Sequence, residues 1–134
     1  MILLDTCALI WGVNRDRISP EALKAISKAS TAGALFLSPV SAWEIGVLAS
    51  RGRLRLQLPA EAYVLRAFAR PGVRVAHLTP EIAVRASYLP GDFHADPADR
   101  LLVATAVALG LKLVTRDERI LRYGAAGYVA VLAC

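Results

Sequence analysis

Short, mostly apolar runs alternate along this chain with longer segments whose apolar positions recur every three or four residues. Met1–Leu4, Ala34–Leu37, Val73–Leu78 and Leu111–Thr115 are the short runs, and each has the length of a buried strand. Ser19-Pro20-Glu21 opens a helix to about Ser30, with Leu23, Ile26 and Ala29 on one face, before Gly33 breaks it. Ser41-Ala42-Trp43-Glu44 reads as the capping box of a helix ending near Ser50. A further helix spans about Ala60 to Arg70 and stops at Pro71-Gly72. Thr79-Pro80-Glu81 starts the next, which runs to about Leu89.

The most strongly marked start is at His94–Val107. Asp96 is placed to cap, Pro97 takes the first helical position and Asp99 the third. Leu101, Leu102, Ala104, Thr105 and Ala108 then follow at helical spacing up to Gly110. Thr115-Arg116-Asp117-Glu118 begins a short helix, and Tyr128–Leu132 reads as a last edge strand. Apolar strands alternating with helices predict an α/β fold around a largely parallel sheet. Arg51–Pro59 departs from the alternation: Arg51, Arg53 and Arg55 interleave with Leu54, Leu56 and Leu58. That pattern suits extended chain leading into a helical excursion beside the sheet.

Composition narrows the classes. The length of 134 residues fits one domain with a real core. No apolar run approaches the ~20 residues of a membrane helix. Asp5 interrupts the opening MILLDTCALIW, and neither a basic start nor a small-residue cleavage site accompanies it, so the expectation is a soluble cytoplasmic protein. Cys7 and Cys134 are too far apart for a disulfide framework, and read as a small buried hydrophobe and a tail residue. His77 and His94 stand alone, which leaves no zinc spacing. The net charge of +5, carried mostly by Arg, suits either a nucleic-acid partner or a merely solvated basic surface.

Candidate chemistry comes from where the acids fall. In a parallel α/β sheet, strand ends and helix starts share one edge, where such folds bind ligands. Asp5 follows the first strand, and Glu44 lies in the first turn after the second. Asp99 starts the helix leading to the fourth strand, and Asp117 follows that strand. Each could be a helix-capping acid, but four carboxylates converging on one edge repel each other and raise each other's pKa. A divalent cation resolves the repulsion. Oxygen ligands without His or Cys favour Mg²⁺ or Mn²⁺, which serve phosphoryl chemistry. No Gly-rich phosphate cradle is present, so phosphodiester hydrolysis suits the pattern better than nucleoside-triphosphate chemistry.

Four segments carry a family resemblance: LLDT at Leu3–Thr6, SAWEI at Ser41–Ile45, HADPADRLLVATA at His94–Ala106 and LVTRD at Leu113–Asp117. In order and spacing they resemble the PIN-domain ribonucleases, and more narrowly the VapC-type toxins of toxin–antitoxin pairs. The resemblance implies a PIN-like three-layer α/β/α sandwich over residues 1–134, with a small helical arm at about 43–70. It places the acidic quartet on Asp5, Glu44, Asp99 and Asp117, with Mg²⁺ or Mn²⁺ as cofactor. Asp5 and Asp99 are then the principal metal ligands, Asp117 holds metal or its waters, and Glu44 orients water or a second ion. Thr115 matches the family's hydroxyl residue before the last Asp. Asp96 is an extra acid for which capping suffices, and His94 and Arg100 suit a surface or salt-bridge role. Arg51, Arg53 and Arg55 fall in the arm, as solvated charge or as RNA-backbone contacts. Trp43 reads as core. The resemblance further implies a homodimeric endoribonuclease held inactive by an antitoxin. A stand-alone PIN nuclease of RNA processing is the nearer alternative. A receiver-like Mg²⁺-binding domain is the remoter one, since it wants an Asp after the third strand and a Lys after the last.

Overall fold

The computed structural model describes residues 1–14 and 17–134. Five strands, β1 (Ile2–Leu4), β2 (Leu35–Leu37), β3 (Val73–Val75), β4 (Lys112–Thr115) and β5 (Val131–Ala133), form one sheet in the order β3-β2-β1-β4-β5. All four pairings are parallel. The helices are α1 (Thr6–Asn14), α2 (Pro20–Thr31), α3 (Pro39–Ser50), α4 (Ala60–Phe68), α5 (Pro80–Ser87), α6 (Pro97–Leu109) and α7 (Glu118–Ala125).

Strand alternation builds the layers. Ile2, Leu4, Leu35, Leu37 and Val114 point into a core shared with Leu9, Ala22, Ala29 and Tyr63 of α1, α2 and α4. Leu3 and Leu113 point the other way, against Leu102, Val103, Ala106, Ile120 and Tyr123 of α6 and α7. Both faces are therefore covered, and the strands can be wholly apolar. The result is the expected three-layer α/β/α sandwich.

The chain leaves β1 towards β2 and β3, then returns across it to β4. The order thus reverses between β1 and β4, which opens a crevice beyond their C-terminal ends. Helix starts line the same edge. Ser19, Ser38, Thr79 and Asp96 each cap a helix that has Pro at its first position. Gly110 closes α6 at φ 64°, a left-handed conformation that suits glycine, and turns the chain into β4.

Two starts differ from the expectation. Ser38, not Ser41, caps α3, so Glu44 lies beyond the first turn and Ser41 is fully buried inside the helix. Asp117, not Thr115, caps α7, because Thr115 is the last residue of β4. Helix α1 was not foreseen at all. In Arg51–Pro59 the alternation is realised without a strand: Leu54, Leu56 and Leu58 pack on the first core while Arg51, Arg53 and Arg55 stay exposed. Among the described residues, no helix is long and apolar enough to cross a membrane.

Candidate active site

Asp5 leaves β1 at the crevice and caps α1. The Ala8 backbone N–H donates to its Oδ1 at 2.7 Å, and the Thr115 hydroxyl at the end of β4 donates to its Oδ2. Thr115 in turn accepts the backbone N–H of Asp117 at 3.0 Å, so one fully buried hydroxyl fixes both acids relative to the β1–β4 pair. Asp5 is only 6 % exposed, and burial raises its pKa against the lowering effect of those donors.

Glu44 enters from α3. The Thr6 hydroxyl donates to Glu44 Oε1, and its oxygen lies 3.0 Å from Ser41 Oγ. Burial again raises the pKa, Thr6 counters it, and Asp96 and Asp5 add repulsion.

Asp99 sits in the first turn of α6, where Asp96 caps by accepting the Asp99 backbone N–H at 3.1 Å. Its pKa is raised to about 7, by burial first and then by Asp96, Asp117 and Glu44, with Arg119 working the other way. Asp117 is the exception. Burial opposes its charge, but the Arg119 side chain and the backbone N–H groups of Arg119 and Ile120 outweigh burial and lower its pKa. Arg119 spans the two acids, 3.0 Å from Asp117 Oδ2 and 3.7 Å from Asp99 Oδ2.

These four acids line one cleft of about 270 Å³, together with Thr6, Cys7, Trp11, Leu102 and Arg116. A cation fits this arrangement. Three of the four carboxyl groups are raised in pKa by burial and mutual repulsion, the state that a positive ion between them relieves. His94, Asp99 and Asp117 moreover offer ligand atoms within 4.8 Å of one another. His94 Nδ1 accepts the Asp96 backbone N–H at 3.3 Å, which leaves the proton of the neutral ring on Nε2. Nε2 lies 3.1 Å from Asp99 Oδ2 but off the line a hydrogen bond needs. In this tautomer His94 turns an N–H rather than a lone pair towards the acids, so the carboxylate oxygens are the atoms here that could hold a cation.

The profile of the PIN domain matches residues 2–126. The chain belongs to the PIN-domain family. It is 36 % identical over 120 residues to Ribonuclease VapC22 of Mycobacterium tuberculosis, which covers 89 % of this chain and 88 % of that protein. The fold is similar to VapBC2 from Rickettsia felis bound to a DNA fragment of its promoter, with TM-score 0.72, 13 % identity, and 99 % and 98 % of the two chains covered. It is also similar to a toxin–antitoxin complex from Klebsiella pneumoniae, with TM-score 0.64, 19 % identity, and 98 % and 96 % covered.

Several residues of this PIN domain sit differently from their expected places. Cys7 is exposed at the cleft rather than fully buried, because the first turn of α1 turns it outward; the partial enclosure of its thiol, and then the charges of Asp5, Glu44 and Asp99, raise its pKa to about 11. Trp43 is 63 % exposed, since Ser41 and Ile45 take the inward side of α3. Among the described residues Arg100 makes no salt bridge. It donates to the carbonyls of Ala86, Phe93 and His94, tying the loop before α6 to α5. The cleft lining does not include Arg51, Arg53 or Arg55. The arginine of the cleft lining is Arg116, whose guanidinium stacks 3.8 Å over Trp11, while Arg119 reaches Asp99 and Asp117 from beside it. Sequence reading missed Thr6, Ser41, Arg116 and Arg119. Thr6, Ser41 and Arg116 do fall inside the motifs LLDT, SAWEI and LVTRD, but nothing in those motifs announces their contacts, and Arg119 lies outside them.

Proposed function

We propose that this PIN domain is a metal-dependent endoribonuclease acting as the toxin of a toxin–antitoxin pair. The observation that carries the reading is the convergence of Asp5, Glu44, Asp99 and Asp117 on one cleft, with three of them raised in pKa. The similarity to a named ribonuclease, and to chains from toxin–antitoxin complexes, supports it.

Asp5, Asp99 and Asp117 would hold Mg²⁺ or Mn²⁺, since all their donors are carboxylate oxygens. Such an ion supplies Lewis acidity for phosphodiester hydrolysis. Glu44, one oxygen fixed by Thr6, orients the attacking water and draws on its proton. Thr115 keeps Asp5 and Asp117 in register, and Asp96 secures the start of α6. Arg51, Arg53 and Arg55, exposed on the 43–70 arm of the single domain 1–134, extend the contacts to the RNA backbone outside the cleft. The protein works as a cytoplasmic homodimer, silenced when its antitoxin covers the acids. The toxin role is favoured over a stand-alone nuclease because the structural neighbours include a toxin–antitoxin complex.

Cleavage of total RNA by wild type and Asp99→Asn, each with Mg²⁺, Mn²⁺ or EDTA, tests the reading. We expect cleavage that requires metal and vanishes in the variant. Equal cleavage by both proteins sinks it.

A further inference from the structure

Beside the acidic cleft lies a second, larger cavity of about 490 Å³, whose lining includes Phe93, Arg119, Arg122, Tyr123 and Tyr128, with His94 and one acid, Asp92, among its other walls. It is not a separate patch. His94 and Arg119 line it and also contact Asp99 of the cleft, at 3.1 and 3.7 Å, so the two cavities share a wall.

Its walls are made with some care. The Phe93 and Tyr123 rings pack at 4.7 Å, and Tyr123 stacks on Tyr128 at 4.7 Å and 20°. Tyr123 is anchored by donating its hydroxyl proton to the Pro90 carbonyl. Gly91, at φ 71°, leaves room for Tyr128, since a Cβ there would come within 2.6 Å of the ring. The aromatic wall is therefore fixed, while Tyr128 remains 40 % exposed. Arg122 and half-exposed Arg119 project from one side of α7 beside it.

We propose that this cavity is the subsite for a nucleotide adjoining the scissile phosphate of single-stranded RNA, which rests on the nuclease reading of the acidic cleft. Aromatic surface takes the base, and two guanidinium groups take the flanking phosphate, the pairing that single-strand binding uses. The shared wall sets the order. With one phosphate at the carboxylates, the next nucleotide of the same strand has its way into the aromatic cavity past Arg119. Arg119 then has two partners, the acids in the free protein and the phosphate when RNA is bound.

The test is binding of a fluorescein-labelled single-stranded RNA dodecamer of mixed sequence to Asp99→Asn protein, read by anisotropy. Arg122→Ala and Tyr128→Ala, each in that background, are expected to weaken binding about fivefold or more, and Tyr128→Phe to retain it. Lys24→Ala, which removes the same charge from exposed α2, should change binding by less than about twofold. Binding of Arg122→Ala indistinguishable from the parent overturns the subsite, and this exposed residue decides even where Tyr128→Ala fails to fold. Wild-type cleavage measured in parallel keeps two failures apart. Cleavage with unchanged variant binding overturns the subsite alone, whereas absence of both cleavage and binding overturns the nuclease reading with it.

Discussion

The two halves of the acidic cleft hold like charges by unlike means. Asp5 and Glu44, from the β1–α1 and α3 side, are held by hydroxyls of Thr115 and Thr6. Those donors are themselves buried, so the positions of these acids are set by the core. Asp99 and Asp117, from the starts of α6 and α7, lean on each other through Arg119, whose side chain is half exposed. One half is built into the sheet, and the other is a surface arrangement that a competing cation can rewrite. On the nuclease reading, a site that holds a cation and then admits a polyanion has use for both.

The largest effect belongs to the adjustable half. On the proposed reading, Asp99→Asn should lower RNA cleavage by about a hundredfold or more, since it removes a carboxylate assigned to the metal, as steady-state rates in Mg²⁺ would record. Next comes the built-in half. Thr115→Val takes a donor from a buried carboxylate and is expected to cost about 1–3 kcal/mol, a fall in Tm of several degrees by calorimetry. Arg119→Ala, by contrast, should leave Tm nearly unchanged, because its ion pairs are half exposed.

The pH dependence separates the halves further. Asp99 has a folded pKa of about 7 against an ordinary 3.8. The folded state therefore resists its ionisation. That penalty is absent below the ordinary value, grows as pH rises through the interval, and is complete above about 7. In metal-free protein, Asp99→Asn should thus be more stable than wild type above neutrality, by about 4 kcal/mol for the full interval and about 2 kcal/mol once solvent screening of this partly open site is allowed for, with the gap closing as pH falls towards 4. A gap that stays constant across this range would mean that Asp99 ionises freely. The smallest effect is on cation affinity. Arg119→Ala removes a cation that spans Asp99 and Asp117, and calorimetry should record Mn²⁺ binding tightened about threefold.

What was legible in the sequence follows the same division. Strands and most helix starts could be read, because Pro at N1 after Ser, Thr or Asp, and Gly after the last turn, are local signals. The acids could be placed because strand ends and helix starts share an edge. Helix α1 escaped since TCALIWGVN is apolar around most of its circumference, which erases the helical period. Ser41 was misread as a cap because Ser38 three residues earlier competes with it, and only Pro39 favours Ser38. Thr6, Thr115 and Arg119 act through partners tens of residues away or across a helix start, and nothing in local spacing announces such contacts. His94 and Arg100 belong to one motif yet diverge, one facing the acids and one gripping carbonyls.

The Thr115–Asp5 hydrogen bond joins positions 110 residues apart, and Asp117 follows only two residues later. During translation Asp5 and the first strand are made well before their partner strand β4 and the last carboxylate, Asp117. The nascent chain consequently carries three of the four acids without the means to align them. On the nuclease reading, the ribosome making it is spared until Asp117 has been made and β4 has paired with β1. Messages broken before the codon for Asp117 would yield products without the site.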